Sequence, residues 1–350
     1  MRKIYAGIDL HKKKFHVCFF DGTAKEFHVY DFTNDGIANF LAHVKKYRDQ
    51  GCFVGVAVEM LTGSYHFYDS LVDYLDEIMV VNTSQFKVVA LSTKKTDRHD
   101  SELLAEYYQR NLLPTIYIPS PAIRELRTLT SMRRQVVKEK SRCKNEIHAL
   151  LLTCGVTIPK RCLSTRKHQE ALNTLQLSST VYRRLLDLLI EKLRYLENEL
   201  ARIHAIMKEV VEAHEELEAM VTCIMGIPGV GLLSAIILTA TIADISRFSS
   251  EKSLASYVGL VPKVRDSGET IKHGRITKKG NVMARTILVQ NAWAMVKSKK
   301  GPLKGFYTSL AYRSCRTKAI VAVARKILGI TFALLKNNER FDQSRFAIAK

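Results

Sequence analysis

Several signatures are missing from this 350-residue sequence, and each absence removes a class of protein. Its seven cysteines, Cys18, Cys52, Cys143, Cys154, Cys162, Cys223 and Cys315, form no CxxC pair and no Cys/His cluster at zinc-ligand spacing, so they read as scattered reduced thiols. No glycine-rich loop ends in Gly-Lys-Ser/Thr, which removes the usual cradle for a nucleoside triphosphate. The most apolar stretch, Leu232 to Ala243, is too short to span a bilayer, and a soluble cytoplasmic protein with no membrane partner is expected. Acidic residues are scarce toward the C-terminus: residues 261–350 hold 20 basic and 4 acidic side chains, most of the chain's net charge of +20. A positive field concentrated in this way suits a polyphosphate partner, because each neutralised phosphate releases condensed counterions.

The first 110 residues alternate strand and helix signals. Ile4, Ala6 and Ile8 alternate up to Asp9; Phe15, Val17 and Phe19 alternate up to Asp21-Gly22; Phe27 and Val29 suggest a third strand. A helix follows with Ile37, Phe40, Leu41 and Val44 on one face, then a buried strand over Phe53 to Val58. Another helix, a strand at Ile78 to Val81 and a helix from about Thr96 to Arg110 complete the unit. Three strands, helix, strand, helix, strand, helix is the ribonuclease-H order, an α/β fold for residues 1–115.

Residues 120–220 contain few breakers and read as two long helices joined near residues 152 to 170. In the second, Tyr182, Leu186, Leu189, Leu193, Leu196, Leu200, Ile203, Met207 and Val210 follow steps of four and three, a coiled-coil seam. The first carries a weaker seam and a basic face, and either an antiparallel hairpin or an intermolecular coil would bury both. Residues 222–350 are richer in small and basic side chains and read as a mainly α third domain, with Lys263 to Gly280 as a polar loop.

Four carboxylates stand where the N-terminal topology converges: Asp9 and Glu59 at strand ends, and Asp97 and Asp100 in the first turn of a helix. Clustered carboxylates repel, and a hard divalent cation, usually Mg²⁺, is their natural stabiliser and a means of activating oxygen nucleophiles at phosphorus. His11, His16 and His99 lie nearby in sequence and receive no role. In the last domain, Ile227-Pro228-Gly229-Val230-Gly231 between two apolar helical stretches reads as a helix-hairpin-helix, whose Gly229 and Gly231 allow close approach to a phosphate. Ser267-Gly268 follows in the polar loop among Arg265, Lys272, Arg275, Lys278 and Lys279. Such cations offset charge developing at phosphorus, though Ser-Gly taken alone is usually a turn.

These residues together resemble the insertion sequence 110 transposases, bridge-RNA-guided recombinases related to the Piv DNA invertases. The marks are Gly7-Ile8-Asp9-Leu10-His11-Lys12, Glu59 with Thr62-Gly63-Ser64-Tyr65, Lys95-Thr96-Asp97-Arg98-His99-Asp100, Ile227-Pro228-Gly229-Val230-Gly231, Tyr257-Val258-Gly259-Leu260-Val261-Pro262, Ser267-Gly268, and Gly280-Asn281 with Arg285. One departure is visible: an extra residue separates Glu59 from the Thr-Gly pair. The resemblance implies a RuvC-like domain whose Asp9, Glu59, Asp97 and Asp100 hold Mg²⁺ as a DEDD site. It also implies Ser267 as a nucleophile forming phosphoserine with DNA, Arg285 and the neighbouring cations on nucleic acid, and a dimer or tetramer held partly by the coiled coil. A structured bridge RNA would pair with donor and target DNA. Two rival readings are a metal-dependent junction resolvase that hydrolyses with water, and a non-enzymatic nucleic-acid scaffold.

Overall fold

Strand β1 (Lys3–Leu10) sets the frame of the N-terminal unit, its Ile4, Ala6 and Ile8 buried on one face and Gly7 and Asp9 turned to the other. A computed structural model describes residues 1–33, 36–61, 63–86, 96–159, 162–267, 270–298 and 301–342, with the backbone alone considered at 167–168, 264–267, 270–273 and 275. Thr62, Lys95 and Gly268 of the motifs above lie outside these residues. The chain divides into two units, Met1–Ile118 and Pro119–Lys350.

In the first unit, β2 (Lys14–Asp21) and β3 (Glu26–Thr33) continue from β1 as an antiparallel meander, and β4 (Phe53–Glu59) lies parallel to β1 on its other side. Beyond it come β5 (Glu77–Val81) and the two-residue β6 (Thr115–Ile116), giving the order β3-β2-β1-β4-β5-β6. Helix α1 (Ile37–Asp49) seals one face, packing Phe40 and Val44 with Phe15, Phe19 and Ile8. Helix α2 (Ser64–Leu71) adds Phe67 and Leu71 to that same cluster.

Helix α3 (Asp97–Gln109) packs on the opposite face, against β1, β2 and β4. It lies very close, because a Cβ at Gly7 would collide with the Ser101 carbonyl and come within 2.5 Å of the Ala105 nitrogen. One strand over, the Tyr108 ring fills the space above Gly55, and its hydroxyl donates to Glu77 Oε2 at 2.8 Å. The two glycines therefore allow backbone and ring to approach the sheet closely.

In the second unit, α4 (Pro121–Thr153) and α6 (Thr180–Glu212) form an antiparallel pair. Lys140 bridges to Glu197 at 3.0 Å, and the Cys143 thiol donates to the Leu189 carbonyl at 3.3 Å. Between them lie short turns and helix α5 (Arg166–Ala171), so the join runs over 154–179 rather than 152–170. The buried stripe of α6 is Leu186, Ile190, Leu193, Leu196, Leu200, Ile203, Met207 and Val211. It departs from the expected seam at its ends, where Ile190 and Val211 replace Leu189 and Val210 and Tyr182 is exposed. Toward the C-terminus a straight helix of 3.6 residues per turn runs ahead of a strict heptad, which accounts for Val211.

The same apolar cluster continues through α7 (Glu215–Met225), α8 (Leu232–Ile242), α9 (Glu251–Val258), α10 (Val282–Lys297) and α12 (Arg316–Asn337), with α11 (Lys304–Arg313) packed on α12. The expected polar loop is instead a two-stranded hairpin, β7 (Pro262–Ser267) and β8 (Thr270–Ile276), which pairs Arg265 with Lys272 and Ser267 with Thr270. Among the described residues no helix is long and apolar enough to cross a membrane.

The approach at Gly7 yields a direct test. Gly7→Ala forces α3 off the sheet, and overpacking of this kind costs about 1–3 kcal/mol, more where backbone is the obstacle. The denaturant midpoint of the variant should fall accordingly, whereas Gly231→Ala, with no neighbouring heavy atom within 4 Å of the added Cβ, should leave it nearly unchanged.

Candidate active site

The register of the sheet builds the site one rung at a time. Asp9 on β1 pairs with His16 on β2, and His16 with Asp31 on β3, while Ile8 pairs with Val58 so that Asp9 and Glu59 follow side by side. Side chains on one rung share a face, and this rung shares the face of Gly7 and Ala57, the one covered by α3. Asp9 and His16 are both buried.

Each flank is fixed locally. After Glu59 the chain turns through Gly63, at φ +101, into α2. The buried Ser64 hydroxyl receives the Leu61 N–H at 2.6 Å and lies 2.8 Å and 3.1 Å from the carbonyls of Leu61 and Glu59, holding the strand end. Helix α3 starts at Thr96, whose hydroxyl accepts the His99 N–H at 3.2 Å, and Asp97 and Asp100 fall in its first turn, where the helix dipole favours anions.

Three of the four carboxylates expected from sequence are thus brought together, as Glu59 shows, while Asp97 stands across His11 from Asp9. The Glu59 carboxyl is pushed up to about 7, first by burial, then by the neighbouring charge and hydrogen bonding of Asp9 and by Asp100. Repulsion of this kind is what a divalent cation relieves, and oxygen donors such as these are the type a hard ion takes.

Two histidines without a sequence-derived role also belong to the site. His11 Nε2 lies 3.3 Å from Asp9 Oδ2 and 3.4 Å from Asp97 Oδ2, and His16 Nε2 lies 3.0 Å from Asp97 Oδ2. Asp31 Oδ1 is hydrogen-bonded to His16 Nδ1, and Lys14 Nζ stands 3.7 Å from Asp97. Only the cross-strand pairing reveals this, since His16 and Asp31 are 15 residues apart.

In the second unit, Gly229, at φ +85, is pressed against α10, where an added Cβ would come 3.0 Å from the Met295 nitrogen. Gly231, at the start of α8, has open space beside it. Arg285 donates to the Val258 carbonyl at 2.7 Å and so braces the end of α9. Lys278 and Lys279 are exposed, and Ser267 closes β7 opposite Thr270. A recess of about 400 Å³ lies beside this region, lined by Arg127, Arg134, Tyr257, Gly280 and Asn281 among others.

Comparison with known proteins agrees with this organisation. Residues 6–155 match the family model described as Transposase, of the DEDD type of IS110, and residues 221–308 match Transposase IS116/IS110/IS902 family. The transposase for insertion sequence element IS1111A of Coxiella burnetii is 27% identical over 343 residues, covering 96% of this chain and 90% of that protein. The pilin gene-inverting protein of Moraxella lacunata is 25% identical over 358 residues, covering 98% and 99%. The transposase for IS1328 of Yersinia enterocolitica is 25% identical over 343 residues, covering 96% and 98%. A ribonuclease-H-like sheet carrying converging carboxylates, joined to a mostly helical basic unit, defines an enzyme of DNA strand transfer, a transposase. Within that class the chain belongs to the IS110 family.

The raised Glu59 gives the site a pH signature. The folded protein holds a proton on this residue between pH 4.5 and about 7 that the unfolded chain releases, so its contribution to stability declines as pH rises through that window. In chelator, thermal midpoints of wild type should fall more steeply with pH than those of Glu59→Gln, whose neutral amide has no proton to lose. Equal slopes would show that Glu59 does not feel its neighbours.

Proposed function

We propose that this protein is the transposase of an insertion sequence, directed by an element-encoded bridge RNA, that cuts and rejoins DNA through a phosphoserine at Ser267. The observation that supports this most is the convergence of Asp9, Glu59, Asp97 and Asp100 on one face of a ribonuclease-H-like sheet, in a chain of this family. The four carboxylates would hold Mg²⁺, which would offset charge on phosphate oxygens and lower the pKa of an attacking oxygen. Asp9 and Glu59 would contribute from the strand ends, and Asp97 and Asp100 from the first turn of α3.

Ser267 Oγ attacks phosphorus and displaces the DNA 3′-oxygen, which leaves as a 3′-hydroxyl with the proton that the serine gives up. The strand is then joined to Ser267 through its phosphate. A 3′-hydroxyl from the strand to be joined attacks that phosphoserine, re-forming a phosphodiester and returning the proton to Ser267. Each step exchanges one phosphoester for another, so no ATP is consumed. The exposed Lys278 and Lys279, the open Gly231 and the hairpin residues Arg265, Lys272 and Arg275 bind phosphates, while Gly229 and Arg285 hold the frame. The inverting relatives support rejoining over simple hydrolysis. The paired α4 and α6 contribute a coiled-coil arm to a dimer or tetramer.

Denaturing electrophoresis of the protein with its DNA tests the covalent step. Wild type should leave a protein–DNA adduct; Ser267→Ala should bind nucleic acid and leave none, and Asp9→Asn or Asp100→Asn should reduce recombination to background with binding retained. An adduct mapped to Tyr257 or Ser256 would move the nucleophile elsewhere. Sequencing of nucleic acid that co-purifies with the full-length protein should return one structured RNA encoded beside its gene.

A further inference from the structure

Beside the oxygen ligands, the sheet presents a second and chemically different set. His11 Nε2, His16 Nε2 and a carboxylate oxygen of Asp97 all lie within 4.8 Å of one another. His16 is more than nine-tenths buried, and its ring is oriented from behind by Asp31, itself largely exposed on β3. A carboxylate at Nδ1 requires the proton on that nitrogen, so the other nitrogen of a neutral ring presents a lone pair. That lone pair faces Asp97 Oδ2 at 3.0 Å, yet Nε2 makes no hydrogen bond of usable geometry. Two acceptors held face to face repel unless a cation lies between them, and there are two ways to supply one: a second proton on His16, or a metal ion.

The position of His11 favours the metal. Its Nε2 points at Asp9 and Asp97 together, 3.3 Å and 3.4 Å away, and its ring meets that of His16 edge-on with centroids 5.7 Å apart. A single proton on His16 does not serve the nitrogen of the second ring, which itself faces two carboxylates. An ion with ligand distances of about 2.0–2.2 Å takes all three groups after a small rotation of the half-exposed His11. Asp31, His16 and the ion then form the carboxylate–histidine–metal arrangement that fixes the tautomer and raises the basicity of the ligand. Lys14, 3.7 Å from Asp97 Oδ2, is the competing cation and must turn to solvent, where its half-exposed chain already reaches.

We infer that His11, His16 and Asp97 form a site for a divalent transition-metal ion, with Asp31 positioning His16, next to the all-oxygen set of Asp9, Glu59 and Asp100. Two imidazoles and one carboxylate select borderline ions such as Co²⁺, Ni²⁺ or Zn²⁺ over Mg²⁺. The enzyme therefore has two neighbouring cation positions of different softness, with Asp97 at their boundary. The inference stands on the imidazoles and shares only Asp97 with the proposed Mg²⁺ site.

The test uses the full-length protein, freed of metal by chelation and titrated with Co²⁺ in excess Mg²⁺, reading visible ligand-field absorption. One equivalent of Co²⁺ should bind to wild type and to Asp100→Asn, whereas His11→Gln and His16→Gln should weaken binding at least tenfold. Asp31→Asn should weaken it about 10- to 100-fold, the range for loss of such a supporting carboxylate. Circular dichroism checks that each variant is folded; His11 and Asp31 are exposed enough to replace without loss of core. Wild-type absorption in His11→Gln and His16→Gln, or its loss to Mg²⁺ competition, would overturn the site and leave His16 as a doubly protonated bridge between Asp31 and Asp97. Failure of the carboxylate reading appears separately, as unimpaired recombination by Asp100→Asn.

Discussion

The N-terminal site depends on how closely one helix lies on one strand. Asp9 is on β1, and Asp97 and Asp100 are on α3; what brings them together is backbone seated against backbone at Gly7. Any side chain there would occupy the place of the Ser101 carbonyl and lift the first turn of α3 away from the sheet. Tyr108 anchors the far end by resting on Gly55 and hydrogen-bonding to Glu77, with its ring edge-on to Tyr5 at 5.0 Å. The helix is thus held at two points along its length, and its N-terminal turn projects past the sheet toward the rung where Asp9 and Glu59 stand.

That placement has an electrostatic consequence. Burial first, and then the neighbouring Asp9 and Asp100, push the Glu59 carboxyl up so that it holds its proton into the neutral range. The ammonium of Lys14 stands 3.7 Å from Asp97, and the dipole of α3 adds partial positive charge behind both of its acidic residues. Asp97 thus faces two imidazoles and an ammonium of the chain itself, whereas Glu59 faces chiefly Asp9 and Asp100. This asymmetry distinguishes the two halves of the centre.

Much of this was legible in the sequence, and the failures have physical causes. The strand ends at Asp9 and Glu59 and the helix start at Asp97 follow from alternation, apolar runs and a Thr N-cap, which are local signals. The role of His16 is not local: it depends on β2 pairing with β1 on one side and with β3 on the other, and no spacing along the chain records a cross-strand rung. The hairpin 262–276 was unreadable for a different reason. Its residues, Lys-Val-Arg-Asp-Ser and Thr-Ile-Lys-His-Gly-Arg, alternate too weakly for a two-faced strand to register, so polarity alone indicated a loop. On α6 the seam matches through its middle and slips toward the C-terminus, because a four-three count of 3.5 residues per turn lags a helix of 3.6.

In the second unit several motif residues are engaged in holding the chain itself. Gly259 and Gly280 both have positive φ and lie against each other's strand of chain: a Cβ on Gly259 would strike the Lys279 carbonyl, and one on Gly280 the Tyr257 carbonyl. Arg285 crosses this junction, donating to the Val258 carbonyl at 2.7 Å and lying 3.5 Å from that of Lys279. Asn281 caps α10 through Ala284 at 3.0 Å and reaches Thr241 at the end of α8 at 3.3 Å. The stretch from Tyr257 to Pro262 enters the hairpin and the stretch from Ile276 to Asn281 leaves it, so these contacts clamp both of its ends to the helical core. Substituting Gly259, Gly280 or Arg285 would loosen the hairpin at its base. Glycines and one backbone-bound arginine thus tie a β-hairpin to the helical core at its base.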